Sequence, residues 1–140
     1  MRGGLRCSVG VLAGLSLLLS ACSGSSPKSP GTITVTERDF HIAAPVTLPS
    51  GNVTLAVHNE GPDAHELIAV KDTGSGLPLR GDGLTVDEDG LGGAVVGALE
   101  PGPPESVRTL HVHLAPGRYV FICNMAGHYM GGMATTVVVR

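Results

Sequence analysis

The segment Arg118–Met133, "RYVFICNMAGHYMGGM", decides how this chain is read. Its first part, "RYVFIC", is strand-like. Its second part sets Cys123, His128 and Met133 at five-residue intervals among Gly127, Gly131 and Gly132. Five residues turn a helix through about 140°, so on a helix the three side chains would diverge. The glycines disfavour a helix as well. A loop that closes back on itself can bring the three together, and glycine supplies the backbone freedom for it. The expectation is a strand followed by a loop that gathers a thiol, an imidazole and a thioether.

Those donor types point to a metal. A thiolate with two imidazoles in a trigonal arrangement and a weak axial thioether is the electron-transfer copper pattern. It needs a second histidine, and "HNEGPDAHEL" offers His58 and His65. His58 alternates with the apolar face Val53, Leu55 and Val57 of "NVTLAVHN" and is expected to point outward. His65 stands where a Gly-Pro loop hands over to the next strand, a rim position suited to meeting another loop. Met130 competes with Met133 for the thioether role, and the spacing favours Met133.

Outward from these motifs the chain has β texture throughout, with short β-branched runs separated by Gly and Pro. Strands are expected at Thr32–Glu37, Asn52–Asn59, His65–Lys71, Ser106–Leu114, Arg118–Cys123 and Ala134–Arg140. "LEPG" at Leu99 and "LAPG" at Leu114 read as turns. Asp72–Gly93 is glycine-rich and acidic and shows no readable organisation; its Arg80-Gly81-Asp82 triplet reads as a turn. The class is all-β, a Greek-key β-sandwich or barrel occupying residues 32–140. With four Phe and Tyr and no Trp, its core relies on Val, Leu and Ile.

Residues 1–21 read as a signal peptide. Arg2 and Arg6 precede the apolar run Val9–Leu19, which falls short of the ~20 residues of a membrane span. The run ends in "LSAC", Leu19–Cys22, which resembles a bacterial lipobox; that resemblance implies cleavage before Cys22 and its lipidation. An ordinary secretory signal cut near Ala21 is the alternative. Residues 22–31 form a Ser/Pro/Gly linker reaching on the order of 15–20 Å, so the domain would sit close to a membrane surface. The expected location is extracytoplasmic and lipid-anchored to the cell membrane. There Cys123 is left without a disulfide partner, which restricts it to packing, reactivity or metal binding. Loss of Arg2 and Arg6 takes the net charge from −3 to −5, two positive charges fewer, and leaves no basic patch for nucleic acid.

"N-x-G-x-x-x-H-E-L" (Asn59–Leu67) and "P-G-R-Y-V-F-I-C-x4-H-x4-M" (Pro116–Met133) closely resemble the cupredoxins, the type 1 blue copper proteins. The Cys-x4-His-x4-Met spacing is most similar to the auracyanin, rusticyanin and sulfocyanin branch. The resemblance implies one type 1 copper, with His65, Cys123 and His128 as equatorial ligands and Met133 as the axial one. It also implies inward-facing Tyr119 and Phe121, with Tyr119 forming a tyrosine corner. Many well-known members carry Asn after the first histidine, where its side chain ties two loops; here the residue is Glu66, whose backbone N–H remains available to the Cys123 sulfur.

The function implied is single-electron shuttling between redox protein partners, by a monomer that is not an enzyme. Its ring edge at His128, surrounded by Met125, Tyr129 and Met130, is the expected electron exit. A copper carrier or metallochaperone is the alternative, although four methionines make no Met-rich tract. A module holding zinc or nothing and serving in assembly is a third. His111 and His113 share one strand face and read as solvated histidines, with a second metal site as the competing reading. His41 carries no readable role.

Overall fold

The computed structural model describes residues 31–140. The signal peptide, Cys22 and the linker up to Pro30 lie outside the described residues. Nine strands follow in order: β1 (Ile33–Arg38), β2 (His41–Ala43), β3 (Thr47–Leu48), β4 (Gly51–Asn59), β5 (His65–Lys71), β6 (Val95–Gly102), β7 (Val107–Leu114), β8 (Gly117–Ile122) and β9 (Ala134–Val139). They form two sheets, β2-β1-β4-β7 and β3-β9-β8-β5-β6. Pairing is antiparallel except for β1 with β4 and β3 with β9. Among the described residues no helix is long and apolar enough to cross a membrane.

The two-residue period of the strands builds the core between the sheets. Val35, Val53, Leu55 and Val57 come from the first sheet, and Leu67, Ala69, Tyr119, Phe121, Val137 and Val139 from the second. Tyr119 Oη donates to the Ala115 carbonyl four residues back at 2.9 Å, closing the expected tyrosine corner. His58 faces outward and is half-buried, as its alternation requires.

Six strands lie within a residue of where the sequence placed them. The three others were not anticipated, because β2 and β3 are too short to show a period and β6 contains Pro101. The "LEPG" stretch is a correction: Leu99–Gly102 is the end of β6, not a turn. Pro101 is tolerated because β6 is an edge strand. "LAPG" does turn the chain from β7 into β8.

The 72–94 segment is organised after all. It carries a bridge between Leu79 and Val86, a single helical turn α1 (Glu88–Leu91) and a 3-10 turn (Gly92–Ala94). It packs on the outer face of the second sheet, where Val86, Ile68, Val70 and Ile122 form a separate buried cluster. That sheet is therefore apolar on both faces along β5, whose run Leu67–Val70 does not alternate.

Glu37 is the unexpected member of the interior, wholly buried on β1. It pairs with the Arg108 guanidinium on β7, and Arg108 also donates to the Glu100 carbonyl on β6, bridging the two sheets. The other carboxyl oxygen, Oε1, has no hydrogen-bond partner among the described residues. Burial pushes the Glu37 pKa up from 4.5 to about 7, against the opposing pull of Arg108. Between those values the folded chain keeps a proton that the unfolded chain has released, so the fold loses stability as pH rises through this window. Denaturant titrations from pH 4 to 8 should show that decline, and Glu37→Gln should flatten it.

Candidate metal centre

One end of the sandwich gathers every predicted ligand. His65 opens β5, Cys123 follows directly on β8, and Met133 directly precedes β9. The 123–133 connection is wound but not helical. His128 N–H donates to Met125 O, Gly131 N–H to Gly127 O and Met133 N–H to His128 O, a sequence of unequal spans. Cys123 N–H donates to Met133 O at 3.1 Å and closes the base of the loop. Gly127 and Gly132 have φ of 81° and 101°, where a side chain would be strained.

Inside this loop three donor atoms converge. His65 Nδ1 and His128 Nδ1 lie 3.3 Å apart, and the Cys123 sulfur lies 4.0 Å and 3.5 Å from them respectively. Such a triangle suits nitrogen and sulfur donors held about 2.0–2.3 Å from a shared first-row ion. His65, Cys123 and Met133 are buried, and His128 reaches partly to the surface. The two candidate methionines separate cleanly: Met133 is 0 % exposed and Met130 53 %.

The surroundings act oppositely on the two buried groups, favouring the neutral form of each. Burial lowers the His65 pKa below the ordinary imidazole value, which keeps the ring neutral. Burial raises that of the Cys123 thiol, partly offset by the backbone N–H groups of Glu66 and Met125. The Glu66 amide thus reaches the sulfur, as expected of its position. The half-buried Glu66 carboxyl has a raised pKa, pushed up first by desolvation and then by Glu88 and drawn back by the Asn124 backbone N–H.

Four supporting residues escaped sequence reasoning. Asp39, in the β1–β2 turn, lies 3.0 Å from His65 Nε2. Phe40 beside it sets its ring 5.5 Å from that of His128. Asn59 organises the loop that delivers His65, accepting from Gly61 N–H and donating to the Asp63 and Gly102 carbonyls. Only the Asn59-to-His65 spacing hinted at this, since a loop carboxamide has no period to betray it. The fourth is Asn124, next to the cysteine. Its carboxamide accepts from Val86 N–H at 2.6 Å and donates to Val86 O at 3.1 Å and to Glu88 at 2.8 Å. Asn124 therefore ties the metal loop to the 72–94 segment.

Of the three residues expected around His128, Met125 and Tyr129 are half-buried, packed on the main core and on the outer cluster, and Met130 is exposed, as is Phe40. His111 and His113 are exposed and bond to Thr54 and Asn52 across the strand pair. No third ligand-type side chain joins them among the described residues.

Asn124→Ala should leave both backbone groups of Val86 unpaired and cost about 1–3 kcal/mol. Thermal denaturation of the metal-free chain should register that loss, with faster amide exchange at Val86; unchanged stability would mean that the tie carries no weight.

No family model matches the sequence, and no curated protein matches it. Solved structures do. Reduced auracyanin from the photosynthetic bacterium Roseiflexus castenholzii superposes with a TM-score of 0.60 at 23% identity, over 78% of this chain and 96% of that one. Auracyanin A from Chloroflexus aurantiacus, described as a "blue" copper protein, gives 0.56 at 18% identity over 79% and 100%. Rusticyanin from Thiobacillus ferrooxidans gives 0.56 at 16% identity over 78% and 77%. With the two-sheet topology and the donor triangle already in place, these likenesses establish that the chain has the cupredoxin fold.

Proposed function

We propose that this chain is a one-electron carrier built on a single type 1 copper, held by His65, Cys123 and His128 with Met133 as the weak axial ligand. The observation that carries the reading is the convergence of two imidazole Nδ1 atoms and one thiol sulfur within 4.8 Å at the closed end of the sandwich. Copper bound there would cycle between Cu(I) and Cu(II), taking up and releasing one electron. The donor set, thiolate and imidazoles with a thioether nearby, is the one that suits such a site. The auracyanins and rusticyanin, whose fold the chain shares, support it.

Burial argues for electron transfer over metal delivery. A carrier must surrender its ion to an acceptor, yet His65, Cys123 and Met133 are closed off from solvent. Only His128 opens to the surface, flanked by exposed Met130 and Phe40, and its ring edge is the route by which an electron leaves for a protein partner. The partner is a redox protein outside the cytoplasm, and the lipobox-like Leu19–Cys22 would anchor the chain to the membrane where that partner works. None of this needs a substrate pocket or a general base, so the chain is read as a carrier and not an enzyme.

The chain, purified whole and loaded with Cu(II), should show an intense blue thiolate-to-copper absorption with one copper bound. Cys123→Ser should abolish the band while leaving the fold intact by circular dichroism. A protein that binds only Cu(I), stays colourless and passes its metal to an acceptor would replace this reading with the carrier.

A further inference from the structure

The β1–β2 turn lies well before every residue of the donor set in sequence, yet two of its residues meet the two histidines. Asp39 Oδ1 stands 3.0 Å from His65 Nε2, and the Phe40 ring tilts against that of His128. Phe40 holds a φ of 60°, a left-handed conformation that is unusual for a bulky residue and costs on the order of 1–3 kcal/mol. That backbone is kept although half of the Phe40 surface faces solvent, 52 % by area. Two glycines make room for the pair. A Cβ on Gly131 would fall 2.3 Å from the Phe40 ring, and one on Gly61 would fall 2.7 Å from His65 Nε2 and 2.9 Å from Asp39 Oδ1.

We infer that Asp39 is a positioning residue of the metal centre, its carboxylate accepting a hydrogen bond from His65 Nε2–H and so fixing the tautomer whose bare Nδ1 faces Cys123 and His128. A neutral imidazole has one N–H and one lone pair, and the partner of one nitrogen decides the role of the other. His65 Nδ1 already points into the donor triangle, 3.3 Å from His128 Nδ1. Its side chain is wholly buried, so water cannot serve as the alternative acceptor, whereas Asp39 is 30 % exposed and closes the ring off from solvent. A carboxylate there also places negative charge next to a ligand, which favours the oxidised ion over the reduced one. The inference rests on the metal reading of the site, but the tautomer can be read without any metal.

Nitrogen-15 NMR of the metal-free whole chain should show His65 protonated at Nε2. D39A should give a mixture of tautomers. D39N, whose side-chain oxygen still accepts, should keep the native one. G61A, which forces Asp39 and His65 apart without altering either, should behave like D39A and serves if D39A does not fold. With Zn(II) as the probe, D39A should bind about 10–100-fold more weakly. Copper-loaded D39N should have a higher reduction potential than the parent, a change that a purely structural role would not produce. His65 remaining fully Nε2-protonated in both D39A and G61A, with unchanged Zn(II) affinity in D39A, would overturn the inference. A tautomer that follows Asp39 in a chain with no blue copper band would sustain Asp39's role and remove the copper reading alone.

Discussion

Two side chains with metal-ligating atoms, the polar His65 and the thiol Cys123, are buried completely at one end of a hydrophobic sandwich, and the rest of that end is arranged to make this tolerable. A polar group taken out of water without a partner destabilises a fold by 1–3 kcal/mol or so. Here Asp39 meets His65 Nε2, and the Glu66 and Met125 amides meet the sulfur. What remains are His65 Nδ1, His128 Nδ1 and the sulfur itself, three candidate ligand atoms facing one another. The proposed ion is the partner that such a set lacks.

The sandwich holds this geometry through parts that look unrelated in the chain. β5 and β8 pair antiparallel in the middle of the second sheet, which puts the start of one beside the end of the other and so His65 beside Cys123. β9 returns next to β8, which brings Met133 to the base of the loop. The 72–94 segment covers the outer face of that sheet and reaches the metal loop twice, through the Asn124 carboxamide and through Gly127 N–H on Leu84 O. A loop held from outside, by its own hydrogen bonds and by the β1–β2 turn has little freedom to follow a change in the ion. Such rigidity is what the proposed electron carrier needs, since a ligand set that stays put serves both oxidation states.

Opposite demands meet at His128. It must share the donor triangle and still communicate with the outside, and it is the one donor of the three left partly open. The Phe40 ring lies against it and exposed Met130 is two residues on, so its exposed neighbours are apolar. Two nearby ion pairs act elsewhere: Glu37 and Arg108 link the sheets from the interior, and Arg38 pairs with Glu60 on the surface.

Much of this was legible in the residues alone. Two-residue alternation in Val53, Leu55 and Val57 marks an inward face whatever the neighbours, because the pleat sends successive side chains to opposite sides. Donor chemistry and glycine spacing in Cys123–Met133 likewise select a closed metal loop before any fold is known. The sequence could not reveal the partners that meet only when distant strands pair. Asp39 lies 26 residues from His65, and Asn124 lies 38 from Val86, and neither position has a period or composition that points across such a gap. The two-residue β3, the Pro101-bearing β6 and the helical turn in 72–94 exist because neighbouring strands and a covered sheet face stabilise them, against weak local preference. Which atoms would ligate was thus a matter of local chemistry, already present in the residues. How firmly they are held, in which tautomer and open to what, was decided by tertiary packing, because hydrogen bonds between remote segments form only once the sheets are in place.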